Sequence, residues 1–264
     1  VKVAYDGRKF HGSQIQPGLR TVEGDFLSAA EELGIMKSRE GFSRASRTDA
    51  GVSALGNVFV FDSEFSEEAI PSALNSRLRD IRVRGIAAVS EDFNPRWAKE
   101  RRYRYYLPYP SGFDVDTAIG AASLFSGEHD FSSYTKDRSR NPVVEIKGIE
   151  AKAARLLIDY EDVSGEEREI LRFLQIDISA DHFLWNMVRW IVGAIEAAGT
   201  GKIDTAVIEE SLSGKPLPPS VKLARPDFLV LLDVEYGGHP VFSDVGAEDA
   251  AICRPERLLH FIWC

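Results

Sequence analysis

The stretch SRASRTDAGVSALGNVFVFD, residues 43 to 62, sets one carboxylate, Asp49, between two apolar strand-like runs, with Arg47 and Thr48 before it and Ala50-Gly51 after it. An opposite charge within about 4–6 Å favours the ionised form of a carboxyl group, so a neighbouring guanidinium suits a charged aspartate. Gly51 allows a backbone or a ligand to come close, and Thr48 can hydrogen-bond the loop. An accessible carboxylate of this kind serves as a nucleophile or a general base. The same residues also describe an Asx-turn whose Arg47 pairs at the surface, because aspartate favours turns for local reasons. Spacing alone leaves both open.

RRYRYY, residues 101–106, is the second constellation. On a strand, Tyr103 and Tyr105 share one face while Arg102, Arg104 and Tyr106 share the other. Interleaved aromatic and basic side chains make a platform for stacking a base and neutralising phosphate. Tyrosines facing a core, with arginines outside, give the same pattern. In FLWNMVRWIVG, residues 183–193, Arg189 interrupts a thoroughly apolar helix. An unpartnered buried guanidinium would cost several kcal/mol, so Arg189 either snorkels to water or meets a carboxylate; in a cleft Asp49 is an attractive partner, with Arg47 as an alternative. His11, His129, His182, His239 and His260 show no metal spacing, and neither GxSxG nor a Walker loop occurs. A site without metal or cofactor, built from aspartate, tyrosine and arginine, is what these residues leave.

The elements that must hold these residues alternate strands with helices. VKVAYD reads as a first strand, and Thr21 opens an amphipathic helix, TVEGDFLSAAEELG, that Gly34 stops. GFSRAS is a short strand leading into the Asp49 turn, and ALGNVFVFD is a buried strand leaving it. SEEAIPSALNSRLRD has the acidic start and basic end of a helix, IRVRGIAAVS alternates as a half-exposed strand, and RRYRYYLPY is a further strand. Beyond PYPSGF, near residues 108–113, the style repeats. DVDTAIGAASLFSG is a helix, and VVEIKGIEAKAARLLIDY and REILRFLQIDISA are strands. HFLWNMVRWIVGAIEAAGTG, residues 182–201, reads as one strong helix. IDTAVIEESLSG adds a short helix and DFLVLLDVEY a last strand. The expected architecture is α+β in two halves, each a mainly antiparallel sheet covered by helices. Residues 1–108 carry the aspartate loop, 109–236 carry the arginine helix, and 237–264 form an extension of unassigned role.

The chain has 264 residues and a net charge of −9. That charge argues at first against a nucleic-acid partner. Its distribution weakens the objection: residues 1–140 hold 20 basic against 20 acidic side chains, and residues 77–104 hold nine against four. Nucleic acid responds to the local field over about 8–10 Å, so a basic surface on an acidic body is compatible with binding RNA. Two cysteines, Cys253 and Cys264, are too few for a disulfide framework or a zinc site. No apolar run is long enough to span a membrane and no signal peptide opens the chain, so the expectation is a soluble cytosolic protein.

Five stretches, YDGRKFHGSQIQPGLRTVEG, SRTDAGVSALGNVFVFD, DFNPRWAKERRYRYYL, GEHDFSSY and FLWNMVRWIVGAI, occur in this order over residues 5 to 195. Together they resemble the tRNA pseudouridine synthase A family, RTDAGV being the most specific. The resemblance implies a cofactor-free and metal-free isomerase that converts uridine to pseudouridine in the anticodon stem-loop of tRNA, at tRNA positions 38, 39 and 40 in bacterial members. It implies the pseudouridine synthase fold, two α+β halves whose sheets join across a basic cleft, working as a homodimer on tRNA. By motif, Asp49 is then the catalytic aspartate, Tyr103 the tyrosine that packs on the target base, and Arg189 the arginine that pairs with the aspartate. Arg47 and Arg104 match further basic positions that meet RNA. A non-catalytic RNA-binding module of the same fold is the alternative, and an aspartate-dependent hydrolase a more distant one. The sequence departs from the family at Ser53, where histidine is common, at Ser13, where tryptophan is common, and at Trp185-Asn186 before the arginine. Residues 237–264 match no part of the family pattern.

Overall fold

The computed structural model describes residues 1–162 and 165–245, with side chains outside 156–170. In chain order come β1 (Lys2–Tyr5), α1 (Val22–Glu32), β2 (Ser43–Arg44), β3 (Ser53–Val60), α2 (Ala69–Arg77), β4 (Ile81–Ile86) and β5 (Glu100–Pro108). They are followed by α3 (Val115–Ser123), β6 (Gly127–Asp130), β7 (Val143–Asp162), β8 (Gly165–Ala180), α4 (Met187–Gly199), α5 (Thr205–Ser211), β9 (Leu229–Glu235) and β10 (Ser243–Asp244). The chain divides into two compact units: Val1–Arg101 with the described residues from Val230 on, and Arg102–Leu229. This division falls inside β5 rather than near residue 108, and it gives β9 to the first unit. The cause is the parallel pairing of β9 with β3, Ser53 opposite Val230 and Ala54 opposite Leu231. The extension from residue 237 returns along β4, Ser243 opposite Ile86, and residues 246–264 lie outside the described residues.

In the first unit β1 is antiparallel to both β3 and β4. Helix α1 forms where the sequence provides a cap and an apolar stripe. Thr21 Oγ1 accepts from the Gly24 N–H at 3.2 Å, which satisfies one of the orphan donors of the first turn and stabilises the helix by about 1 kcal/mol. Val22, Phe26, Leu27, Ala29 and Ala30 are buried, and Phe26 meets Phe59 of β3 edge to face at 5.0 Å between centroids. That packing fixes one end of the strand that leaves the Asp49 loop. Helix α2 buries Ile70 and Leu74, and its Asn75 amide both donates to the Val83 carbonyl and accepts from the Val83 N–H.

The second unit is built on the antiparallel pair β7–β8, which runs from Ile146 opposite Ala180, through a register shift before Gly148, to Asp162 opposite Gly165, with β6 antiparallel along β7. Helix α4 buries Met187, Val188, Ile191, Val192 and Ile195, the stripe expected from sequence. It starts later than its apolar pattern suggests. Asn186 has φ +62°, a left-handed conformation that asparagine tolerates better than most residues, so His182–Trp185 precede the helix instead of opening it. Among the described residues, no helix is long and apolar enough to cross a membrane.

Candidate active site

Asp49 lies half-buried on the loop between β2 and β3, and two other pieces of the first unit hold that loop. The Val52 N–H donates to the Asp49 carbonyl at 3.1 Å, closing the turn that carries the side chain. Beneath it, the Ser13 N–H donates to the Thr48 carbonyl at 3.0 Å and the Thr48 N–H donates to Ser13 Oγ at 2.9 Å. Thr48 Oγ1 lies 2.8 Å from the Tyr5 hydroxyl, which also accepts from the Asn57 amide at 3.1 Å. At the far end of the loop, Ser53 Oγ accepts from the Gly7 N–H at 3.0 Å. Ser13, Ser53 and Asn57 are fully buried, so each of these bonds forms away from competing water.

Gly12 completes this support. It has φ +96°, and a Cβ there would stand 3.3 Å from the Thr48 carbonyl oxygen. Only glycine lets the loop of residues 6–13 lie this close under the aspartate turn. The result is a preorganised carboxylate on a backbone that β1 and the 6–13 loop immobilise.

Arg47, two residues before Asp49, is exposed. Behind it Glu23 Oε1 and Arg44 Nε stand 2.9 Å apart, within ion-pair distance but off the line that a hydrogen bond requires. Burial pushes Glu23 above the usual carboxylate range, and Arg44, then the Ile15 backbone and Arg47, pull it back. Burial lowers Arg44 from the usual guanidinium range, Glu23 opposes this, and the charges of Arg47 and Arg96 add to the lowering. Arg101 is also buried in this unit. It donates through Nε to Ser46 Oγ and through Nη2 to the carbonyls of Ala45 and Arg96, all at 3.0 Å.

Tyr103, Arg104 and Arg189 belong to the second unit. Tyr103 is 8% exposed and meets Phe183 edge to face at 5.3 Å. Tyr105 shares its face, as alternation requires, and donates from its hydroxyl to the Arg225 carbonyl at 3.0 Å. Burial pushes the Tyr105 hydroxyl well above the usual phenol range, so it stays a donor. On the opposite face Arg104 forms a two-pronged pair with Asp177, Nε to Oδ1 at 2.6 Å and Nη2 to Oδ2 at 2.7 Å. The hydrogen bonds it donates to that carboxylate raise Arg104 above the usual guanidinium range, against the opposing pull of burial.

Arg189 sits half-buried in the first turn of α4. Its Nε donates to the Ala224 carbonyl at 2.8 Å and its Nη1 to Asn186 Oδ1 at 3.1 Å, while its own carbonyl accepts from the Ala224 N–H at 3.2 Å. Gly193, one turn on, permits this approach, since a Cβ there would lie 1.9 Å from the Lys222 carbonyl oxygen. Asn186 is therefore the residue that both starts the helix and orients its arginine.

The chain is 43% identical over 246 residues to the tRNA pseudouridine synthase A of Thermococcus kodakarensis, a match covering 90% of this chain and 84% of that protein. The chain belongs to the tRNA pseudouridine synthase A family. Its likeness to the family's Pyrococcus abyssi member is 42% over the same shares of both chains, and to that of Methanobrevibacter smithii 35% over 94% of this chain and 87% of that one. A family model described as tRNA pseudouridine synthase matches residues 121–237. The α+β architecture accords with the pseudouridine synthase fold.

Within this family member the residues that sequence reasoning overlooked are those that hold the Asp49 loop. Ser13 and Ser53 stood out in the sequence only as departures. Each places a buried hydroxyl where it bonds the opposite loop. The available signal was the concentration of small residues at both ends of two loops, Gly7, Gly12 and Ser13 against Ser46, Thr48 and Ser53.

Proposed function

We propose that this protein isomerises uridine to pseudouridine in the anticodon stem-loop of tRNA, with Asp49 as the catalytic carboxylate. The observation that carries the reading is the setting of Asp49: a carboxylate left partly open to solvent, on a loop immobilised by bonds from Ser13, Tyr5 and Ser53. A binding module needs cations and aromatic rings but gains nothing from fixing an acid so firmly. Family membership supports the same chemistry.

In the reaction the N1–C1′ bond of the uridine breaks, the base turns, and C5 bonds to C1′. The C5 proton passes to solvent and N1 gains a proton, so the product is an isomer and no redox partner is required. The carboxylate of Asp49 starts this either by attacking the nucleoside or by removing a ribose proton. The target lies in a stacked stem, so it must first leave the stack. Tyr103 is assigned to packing on the everted base, Arg189 to serving as the aspartate's cationic partner and Arg47 to meeting RNA, while both prongs of Arg104 hold Asp177. The resemblance to the family supports a cytoplasmic homodimer, in which two basic surfaces serve one tRNA despite the net charge of −9.

The test uses unmodified tRNA carrying tritium at uridine C5. Release of tritium by the protein, abolished by Asp49→Asn with tRNA binding retained, is the expected result. Tight binding without release by the unsubstituted protein would identify a binding module instead.

A further inference from the structure

Trp97 is the most exposed of the large apolar side chains among the described residues, at 78%. A single apolar side chain in water is ordinary. What sets Trp97 apart is how firmly its turn is held. The N–H groups of Arg96 and Trp97 donate to the side chain and carbonyl of Asn94, both at 3.0 Å. The Pro95 carbonyl accepts from the Tyr236 hydroxyl at 2.9 Å, and the Lys99 N–H donates to the Glu235 carbonyl at 2.7 Å. Tyr236 is itself braced by Phe93, edge to face at 5.0 Å. This rigid turn aims an indole at solvent, where it contributes nothing to the core.

The turn is also tied to the Asp49 loop. The Arg101 guanidinium bonds the Arg96 carbonyl together with Ala45 and Ser46, the residues that lead into Arg47 and Asp49. Arg96, Lys99 and Arg47 are all exposed, and the charges of Arg47 and Arg96 both reach Arg44. A rigid π-face among exposed cations has the chemistry of a single-stranded nucleic-acid contact: the ring stacks on a base of any identity and the cations meet the flanking phosphates.

We propose that Trp97 stacks on an unpaired nucleotide of the RNA substrate beside the reacting uridine, with Arg96 and Arg47 on the adjoining phosphates. The proposal rests on the assignment of RNA as the substrate, and it gives Trp97 a role that the resemblance does not assign. Trp97 acts here as a positioning residue, fixing the strand next to the Asp49 loop.

The experiment compares Trp97→Ala, Trp97→Leu and Trp97→Phe for binding to unmodified tRNA and to a fully paired RNA duplex of similar length, with thermal unfolding measured alongside. Trp97→Ala should weaken tRNA binding about tenfold, the order expected for losing one base–aromatic stack. Trp97→Phe should restore most of the affinity and Trp97→Leu should not, while duplex binding stays unchanged. Arg96→Ala should lower the salt dependence of tRNA binding by about one counterion. Wild-type affinity in Trp97→Ala, rescue by leucine, or an equal loss on the duplex would each overturn the proposal. Tritium release separates it from the catalytic assignment. Release with unchanged affinity in Trp97→Ala defeats the stacking contact alone, and Trp97-dependent binding without release defeats the chemistry alone.

Discussion

Ser13 and Thr48 exchange two hydrogen bonds: the Ser13 N–H donates to the Thr48 carbonyl at 3.0 Å, and the Thr48 N–H donates to Ser13 Oγ at 2.9 Å. This reciprocal pair links segments 35 residues apart, directly before Asp49. Removing the hydroxyl leaves a buried N–H without its acceptor, which costs about 1–3 kcal/mol. Ser13→Ala should therefore lower unfolding stability by that order in urea melts. It should also reduce the single-turnover rate more than it weakens tRNA binding, because the backbone under the carboxylate loosens while the RNA-facing cations stay in place. A variant that melts lower but turns over normally would mean that the loop positions nothing.

Gly193 offers the matching test in the second unit. A Cβ there would overlap the Lys222 carbonyl oxygen at 1.9 Å, and backbone has to give. Gly193→Ala should push the 222–224 segment from α4 and break the bond from Arg189 Nε to the Ala224 carbonyl. We expect a loss of about 1–3 kcal/mol in stability, as for other overpacked sites, and slower tritium release even where the protein remains folded. Unchanged turnover would show that the Ala224 contact does not hold Arg189 in its working orientation.

The parts of the fold legible in the sequence are those encoded over one turn or one pleat. Thr21 and the stripe Val22, Phe26, Ala29, Ala30 announce α1 with its cap, and the alternation of RRYRYY puts Tyr103 and Tyr105 on the buried face of β5. Contacts between distant segments left no such local signature. The parallel register of β9 on β3 depends on two strands far apart in the chain. The start of α4 depends on one left-handed residue, Asn186, hidden within a continuous apolar pattern. At the candidate site the sequence names the charged residues but not their tethers. It also gives no hint that Arg104 meets Asp177, because a carboxylate 73 residues away is invisible to spacing.

Arg47 and Arg104 carry the same charge in different settings, and salt dependence should tell them apart. Arg47 is exposed, whereas both prongs of Arg104 hold Asp177. Neutralising a residue that meets phosphate lowers the slope of log affinity against log salt by about one. Arg47→Ala should do this. Arg104→Ala should leave the slope nearly unchanged and instead cost about 1 kcal/mol or less of stability, since its ion pair is partly solvated, with side chains 28% and 31% exposed. Equal changes in slope for both variants would mean that RNA displaces Asp177 from Arg104.

The buried pair of Glu23 and Arg44 predicts a particular pH dependence of stability. Burial raises Glu23 above its ordinary value of 4.5, more than Arg44 and its other partners lower it. The native protein then holds the Glu23 proton more tightly than the unfolded chain does. The contribution of this group is fully present below the unfolded value and is lost as pH rises through the raised one. Glu23→Gln keeps the shape and removes the titration. Unfolding free energies of the two proteins, measured from pH 4 to pH 7, should therefore show the wild type losing ground to the variant as pH increases. The opposite trend would mean that the attraction of Arg44 outweighs burial and that the pair is a net source of stability at neutral pH.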